Sequence, residues 1–189
     1  MAEKKLWDPE FTPAYTPLEM LKKGVFEGKY INALKGLPSS WYKEEKVLGK
    51  DDEPDPSINY YGIKSRQPLS VWKKNGWTTK HSPFGWFQWY CLYWLGRRIP
   101  KEDEWQIGRW KSFCARHQGQ INANCDLKDK ECRPKQRQGL LQWAWDSNKE
   151  FSDENRDKAL KRLQKNHSDK VKLPPKEEEK EGNESWMDF

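Results

Sequence analysis

The chain has 189 residues, of which 35 are Lys or Arg and 29 are Asp or Glu, for a net charge of +6. Charged and apolar residues each make up 34%, a balance that leans toward disorder, yet 12 residues are Trp, and aromatic side chains bury the most area per residue. No apolar run reaches bilayer length, no signal core opens the chain, four Cys are too few for a disulfide framework, and phosphate-cradling Gly loops, HExxH and GxSxG are all missing. The expected setting is a reducing cell interior with no membrane partner.

Residues 1–15 show no period and read as an extended arm. Thr16-Pro17-Leu18-Glu19 is a helix start, with Thr at the cap, Pro in the first turn and Glu placed for a capping box. This helix should stop near Gly24, and a second short one is expected from about Lys29 to Leu34. Gly36–Ser40 is a turn, and 49–57 is an acidic loop with two prolines. A short helix is expected over Pro68–Asn75, closed by Gly76. Phe84–Leu95 is apolar on every side of a helical wheel and reads as the buried central helix. Lys101–Asn122 follows, with Ile107, Trp110, Cys114, His117 and Ile121 on one stripe. After a polar loop over Asn124–Lys130, another helix is expected over Pro134–Asn148. Ser152 should cap a last charged helix over 151–168, and 169–189 reads as a disordered acidic tail. No segment alternates with period two, so the expected fold is all-α. It places one compact helical domain over 16–150, around a Trp-rich central helix.

Charge and aromatics are segregated together. Between Tyr60 and Trp145 lie nine of the Trp, with 16 Lys or Arg against 6 Asp or Glu, a net of +10. The flanks are mildly acidic. A basic, aromatic centre points to nucleic acid, with DNA the expected partner and phosphate contacts dominant. The candidate contacts are Arg97, Arg98, Arg109, Arg116, Arg133, Lys135 and Arg137. Arg109 and Arg116 are seven apart on one helix face with Ser112 between, and Arg133, Lys135 and Arg137 open a helix beside Gln136 and Gln138. Trp86, Phe87, Trp89, Tyr90 and Trp94 are expected to be core. Trp72 and Trp77, ringed by Lys73, Lys74 and Lys80, are the better candidates for base stacking.

Other constellations are weaker. Cys114, His117, Cys125 and Cys132 could hold zinc, but their spacing matches no standard finger, and buried or loop thiols are the plainer reading. Gly62–Trp72 could be turn plus recognition helix, with little room for a preceding helix. No catalytic set stands out. Glu102, Asp103 and Glu104 sit at a helix start, where acids are favoured anyway.

Four segments carry a resemblance: Thr16–Tyr30, Tyr61–Trp72, Gly85-Trp-Phe-Gln-Trp-Tyr-Cys-Leu-Tyr-Trp-Leu-Gly-Arg-Arg98 and Cys132-Arg-Pro-Lys-Gln-Arg-Gln-Gly-Leu-Leu-Gln-Trp-Ala-Trp145. Together they resemble a family found in phages, large DNA viruses and some microbial eukaryotes. The resemblance implies one domain over 16–148 and a host cytoplasmic or nuclear setting, and it assigns no activity. The expected function is that of a nucleic-acid-binding accessory protein. The alternatives are a small enzyme acting on a nucleotide or base, and an aromatic-rich protein-interaction module. The acidic tail would compete for the basic face, or recruit a protein partner through Trp186–Phe189.

Overall fold

The computed structural model describes residues 8–29, 36–42, 53–126, 128–149 and scattered positions from 152 to 165. Of the helix expected over 29–34, Lys29 is extended and 30–34 lie outside the described residues, as does the acidic tail with Trp186–Phe189. The fold is all-α, with helices α1 (Pro17–Lys23), α2 (Leu69–Lys74), α3 (Trp86–Trp94), α4 (Pro100–Asn124) and α5 (Pro134–Leu141). Among the described residues there is no β-strand, and no helix is long and apolar enough to cross a membrane.

Local chemistry sets the boundaries. Thr16 caps α1 by accepting the Glu19 N–H at 3.2 Å, and the Glu19 carboxylate accepts the Thr16 N–H at 2.7 Å, which completes the capping box. Gly24, at φ 95°, ends the helix. α3 begins at Trp86 and not at Phe84, because Gly85 turns at φ 82°. Among the described residues the element directly before α2 is a three-residue 3₁₀ turn, Pro56–Ile58, too short to be the first helix of a helix-turn-helix. Where described, 154–155, 157–158, 160–161 and 165 are helical, and the Asn155 N–H donates to Ser152 Oγ at 3.3 Å.

α5 stops at Leu141, well short of the expected Asn148. Its last groups are diverted into tertiary bonds. The Trp143 carbonyl accepts the Trp110 indole N–H at 2.8 Å, and the Ala144 carbonyl accepts the Ala14 N–H at 2.7 Å. Ala144 takes a left-handed φ of 55° to present that carbonyl.

The core is aromatic. α3 buries Trp86, Phe87, Trp89, Tyr90, Cys91 and Tyr93, and leaves Trp94 half-buried, so the core reading of this helix holds. α4 adds its buried stripe of Ile107, Trp110, Cys114, His117 and Ile121. Trp143 stacks on Trp86 at 4.8 Å and on Phe113 at 4.6 Å between ring centroids. Phe11, from the arm, sits amid the rings of Trp86, Trp89, Tyr90, Tyr93 and Trp110. The arm therefore contributes to the core through Phe11, with Tyr15 packed against it.

A buried polar network ties the loops to α5. Gln142 Oε1 accepts from the Phe26 N–H at 3.0 Å and from Ser65 Oγ at 2.6 Å, while its Nε2 donates to the Ser65 carbonyl at 3.0 Å. Gln138 donates to the Gly24 carbonyl at 3.0 Å and accepts the Tyr61 N–H at 3.1 Å. Buried Glu27 accepts the Ser65 N–H at 2.8 Å and pairs with Arg66 at 3.2 Å. These glutamines serve as cross-links, since a buried amide can satisfy backbone donors and acceptors together.

Cys125 and Cys132 form a disulfide, where the sequence reading had two loop thiols. Spacing alone carries no pairing information, and here the end of α4 curls back toward α5. The bond closes a loop with a sequence separation of 7, which on chain entropy is worth about 2.5 kcal/mol. Reduction is expected to lower the thermal midpoint by roughly 5–10 °C, read by circular dichroism with and without reductant. An unchanged midpoint would contradict a stabilising role.

Candidate nucleic-acid interface

Most of the candidate arginines are engaged inside the fold. Arg97 donates to the His81 carbonyl at 2.6 Å and to Ser82 Oγ at 2.8 Å, and reaches Glu102 at 3.3 Å. Arg98 donates to the carbonyls of Tyr93 and Arg97 at the end of α3, with its guanidinium 3.7 Å over the Tyr93 ring. Arg98 closes the C-terminal end of α3, where free carbonyls attract cations, whereas Arg97 ties the segment before α3 to Glu102 on α4. Arg137 is 1% exposed and donates to the carbonyls of Cys132 and Asp129, to Ser147 Oγ and to Asn148 Oδ1. Neighbouring Gln136 and Gln138 are buried too. The start of α5 is thus a structural knot, and of its three basic residues Lys135 alone is exposed, with Arg133 half-buried in a left-handed conformation at φ 55°.

The proposed stackers also have other work. The Trp72 ring lies against Gly85, where a Cβ would stand 3.3 Å from it. Trp77 is half-buried, and its carbonyl accepts from Arg109 at 3.1 Å. Lys73 and Lys74 are exposed in the last turn of α2. Glu102 and Asp103 are buried anchors: Glu102 accepts from Thr79 Oγ1 at 2.5 Å, and Asp103 accepts the Trp89 indole N–H at 2.8 Å.

The four zinc candidates do not converge. Cys125 and Cys132 are joined to each other, Cys114 is a buried free thiol, and His117 Nδ1 lies 2.9 Å from the Phe113 carbonyl. Among the described residues no group of three His, Cys, Asp or Glu could hold a metal ion.

Arg109 and Arg116 are brought together. They line one open groove of about 410 Å³ with Trp105, Ser112, Phe113 and Trp143. Trp105 is 39% exposed, whereas Trp143 and Phe113 face the groove from the core. The Arg109 guanidinium lies 4.6 Å from the Trp105 ring and 5.4 Å from the Trp143 ring. Its Nη1 donates to the Trp77 carbonyl and to Gln106 Oε1. Among the described residues no carboxylate pairs with Arg109 or Arg116. Burial pushes Arg109 down to about 10, so it stays charged at neutral pH.

Trp105 was missed in the sequence. It lies one helical turn before Arg109, and the series 105, 109, 112, 116 follows one face of α4. That arithmetic was available once Arg109, Ser112 and Arg116 were placed on a face.

A second, smaller cavity of about 240 Å³ is lined by Tyr15, Lys23, Tyr61, Arg137, Trp145 and Asp146, among others. Lys23 stands 4.9 Å from the Tyr15 ring centroid, and burial together with the Asp146 carboxylate raises the Tyr15 hydroxyl pKa.

No family model, curated protein or solved structure matches the chain. The site must be read from its own chemistry.

Proposed function

We propose that the protein binds nucleic acid, with the α4 groove as the centre of its contact surface. One observation carries this reading. Arg109 and Arg116 flank an aromatic groove without a carboxylate partner among the described residues, in a segment with 16 basic against 6 acidic residues. A desolvated cation gains most from an anion that brings its own surface to bury, and a phosphate beside a base does both. Exposed Lys73, Lys74 and Lys135 add unspecific attraction for the backbone.

A nucleotide-processing enzyme would be expected to gather Trp, Arg and a carboxylate around one cavity. The smaller cavity has Trp145, Arg137 and Asp146, but Arg137 there bonds to two carbonyls, a hydroxyl and an amide of the protein. The larger groove offers no carboxylate among its lining residues. Binding is the reading that the arginine chemistry favours.

The test is a fluorescence-anisotropy titration of the full chain against labelled single- and double-stranded DNA and RNA at low salt, about 50 mM. Micromolar or tighter affinity for at least one of them is expected. No measurable binding to any would overturn the reading.

A further inference from the structure

The α4 groove has a feature that packing does not explain. Gly108 lies inside a 25-residue helix, where Gly is the least favourable residue after Pro. Its φ is not in the left-handed region, and a Cβ built on it would meet no protein atom within 4 Å. Neither backbone conformation nor a close neighbour requires Gly there. It lines the groove between Trp105 and Ser112, and a side chain at that position would project into the space that Arg109 and Trp105 border.

We infer that this groove receives one unpaired nucleobase, stacked against the Trp105 ring, with its neighbouring phosphate on Arg109 and Arg116. This deepens the nucleic-acid reading and rests on it. The substrate class is then single-stranded nucleic acid. In a duplex the faces of the bases are covered by stacking, and only a base taken out of the stack offers a ring face to a side chain. The groove has what such a base needs: a partly exposed indole, a buried aromatic floor of Phe113 and Trp143, two guanidinium groups and the exposed Ser112 hydroxyl for a base edge. A volume of about 410 Å³ lies in the range of small-ligand sites and leaves room for one base and its sugar. No acidic side chain lines it to repel phosphate.

α4 also supplies its own control. Gly119 is a second helix-interior glycine with no atom within 4 Å of a built Cβ, and it is not among the residues that line the groove. Leu favours helix over Gly at either site, so Gly108→Leu and Gly119→Leu should both keep or raise the thermal midpoint. Only Gly108→Leu should fill the groove.

The experiment compares full-length wild type, Gly108→Leu, Gly119→Leu, Trp105→Ala and Trp105→Phe. Each is titrated with a labelled oligonucleotide as a single strand and as a blunt-ended duplex with its complement. Gly108→Leu and Trp105→Ala are expected to lose roughly 10-fold or more in single-strand affinity, the scale of one stacked base, with duplex affinity unchanged. Trp105→Phe should recover most of the Trp105→Ala loss, and Gly119→Leu should bind as wild type does. Unchanged single-strand affinity in Gly108→Leu would overturn the base-pocket assignment and leave nucleic-acid binding standing. Equal losses on single strand and duplex would do the same. Wild type that binds neither form would overturn both.

Discussion

Gly24→Ala is expected to destabilise the protein by about 4 kcal/mol or more, from strain and overpacking together. Gly24 sits at φ 95°, and a Cβ there would stand 1.9 Å from the Ile58 carbonyl oxygen and 3.0 Å from the Ile58 carbonyl carbon. Those are backbone atoms, so no rotamer change can make room. The Gly24 carbonyl meanwhile accepts from the Tyr60 N–H at 3.1 Å and from Gln138 Nε2 at 3.0 Å. Any shift of residue 24 therefore pulls on α1, on the loop through Asn59 and on α5 together. Asn59 itself accepts the Glu27 N–H at 2.8 Å and donates to Ser65 Oγ at 2.7 Å, so the buried network would lose several bonds at once. A fall in thermal midpoint of roughly 10–15 °C is expected in a circular dichroism melt. A midpoint within two or so degrees of wild type would show that the close approach of Gly24 to Ile58 is not a constraint on the fold.

Phe11→Ala should cost about 3–5 kcal/mol, the usual range for emptying a buried phenyl site. Phe11 is 1% exposed and touches five rings, the nearest being Trp110 at 5.0 Å between centroids. Three of the five meet it edge to face within a few degrees of perpendicular: Tyr90 at 90°, Tyr93 at 88° and Trp110 at 84°. That orientation sets a ring edge against a ring face and gains beyond the area buried. Two of the three surrounding indoles are held by their own hydrogen bonds, Trp89 to Asp103 and Trp110 to the Trp143 carbonyl, which limits how far they can close over the gap. Chemical denaturation of Phe11→Ala and Phe11→Leu checks this. Phe11→Leu, which keeps most of the volume, should lose well under half as much. Equal and small losses in both would mean that the arm is not part of the core.

The helices of the centre were legible because each carries its own local signal. The capping box at Thr16, the all-round apolar face of α3 and the stripe on α4 are written in neighbouring residues. Phe11 is different. It comes from a stretch without a period, and nothing local announces that its ring fills the middle of another element's core. The start of α5 misled for a related reason. A run of Arg, Lys and Gln at a helix start reads as a phosphate site. Charge and spacing do not say whether Arg137 faces water or the carbonyls of Cys132 and Asp129. Long side chains with several donors serve either purpose. Arg97 and Arg98 went the same way, Arg98 folding back onto carbonyls at the end of α3 and Arg97 onto the His81 carbonyl, Ser82 and Glu102. The pairing of Cys125 with Cys132 depends on the path of the loop between α4 and α5, which spacing cannot provide. Of the basic face first read from the sequence, Arg109 and Arg116 are the pair that lines one groove, and the sequence held the missing Trp105 one turn away.

The most direct measurement of the central claim is the slope of log affinity against log salt concentration for a single strand. Each phosphate neutralised contributes about −0.7, so engagement of Arg109 and Arg116 should give a slope of roughly −1.4 or steeper. Arg116 is exposed and pairs with no carboxylate among the described residues, so Arg116→Gln should leave the fold intact and make the slope shallower by about 0.7. A slope near zero, or one that Arg116→Gln leaves unchanged, would contradict a phosphate-binding groove on α4.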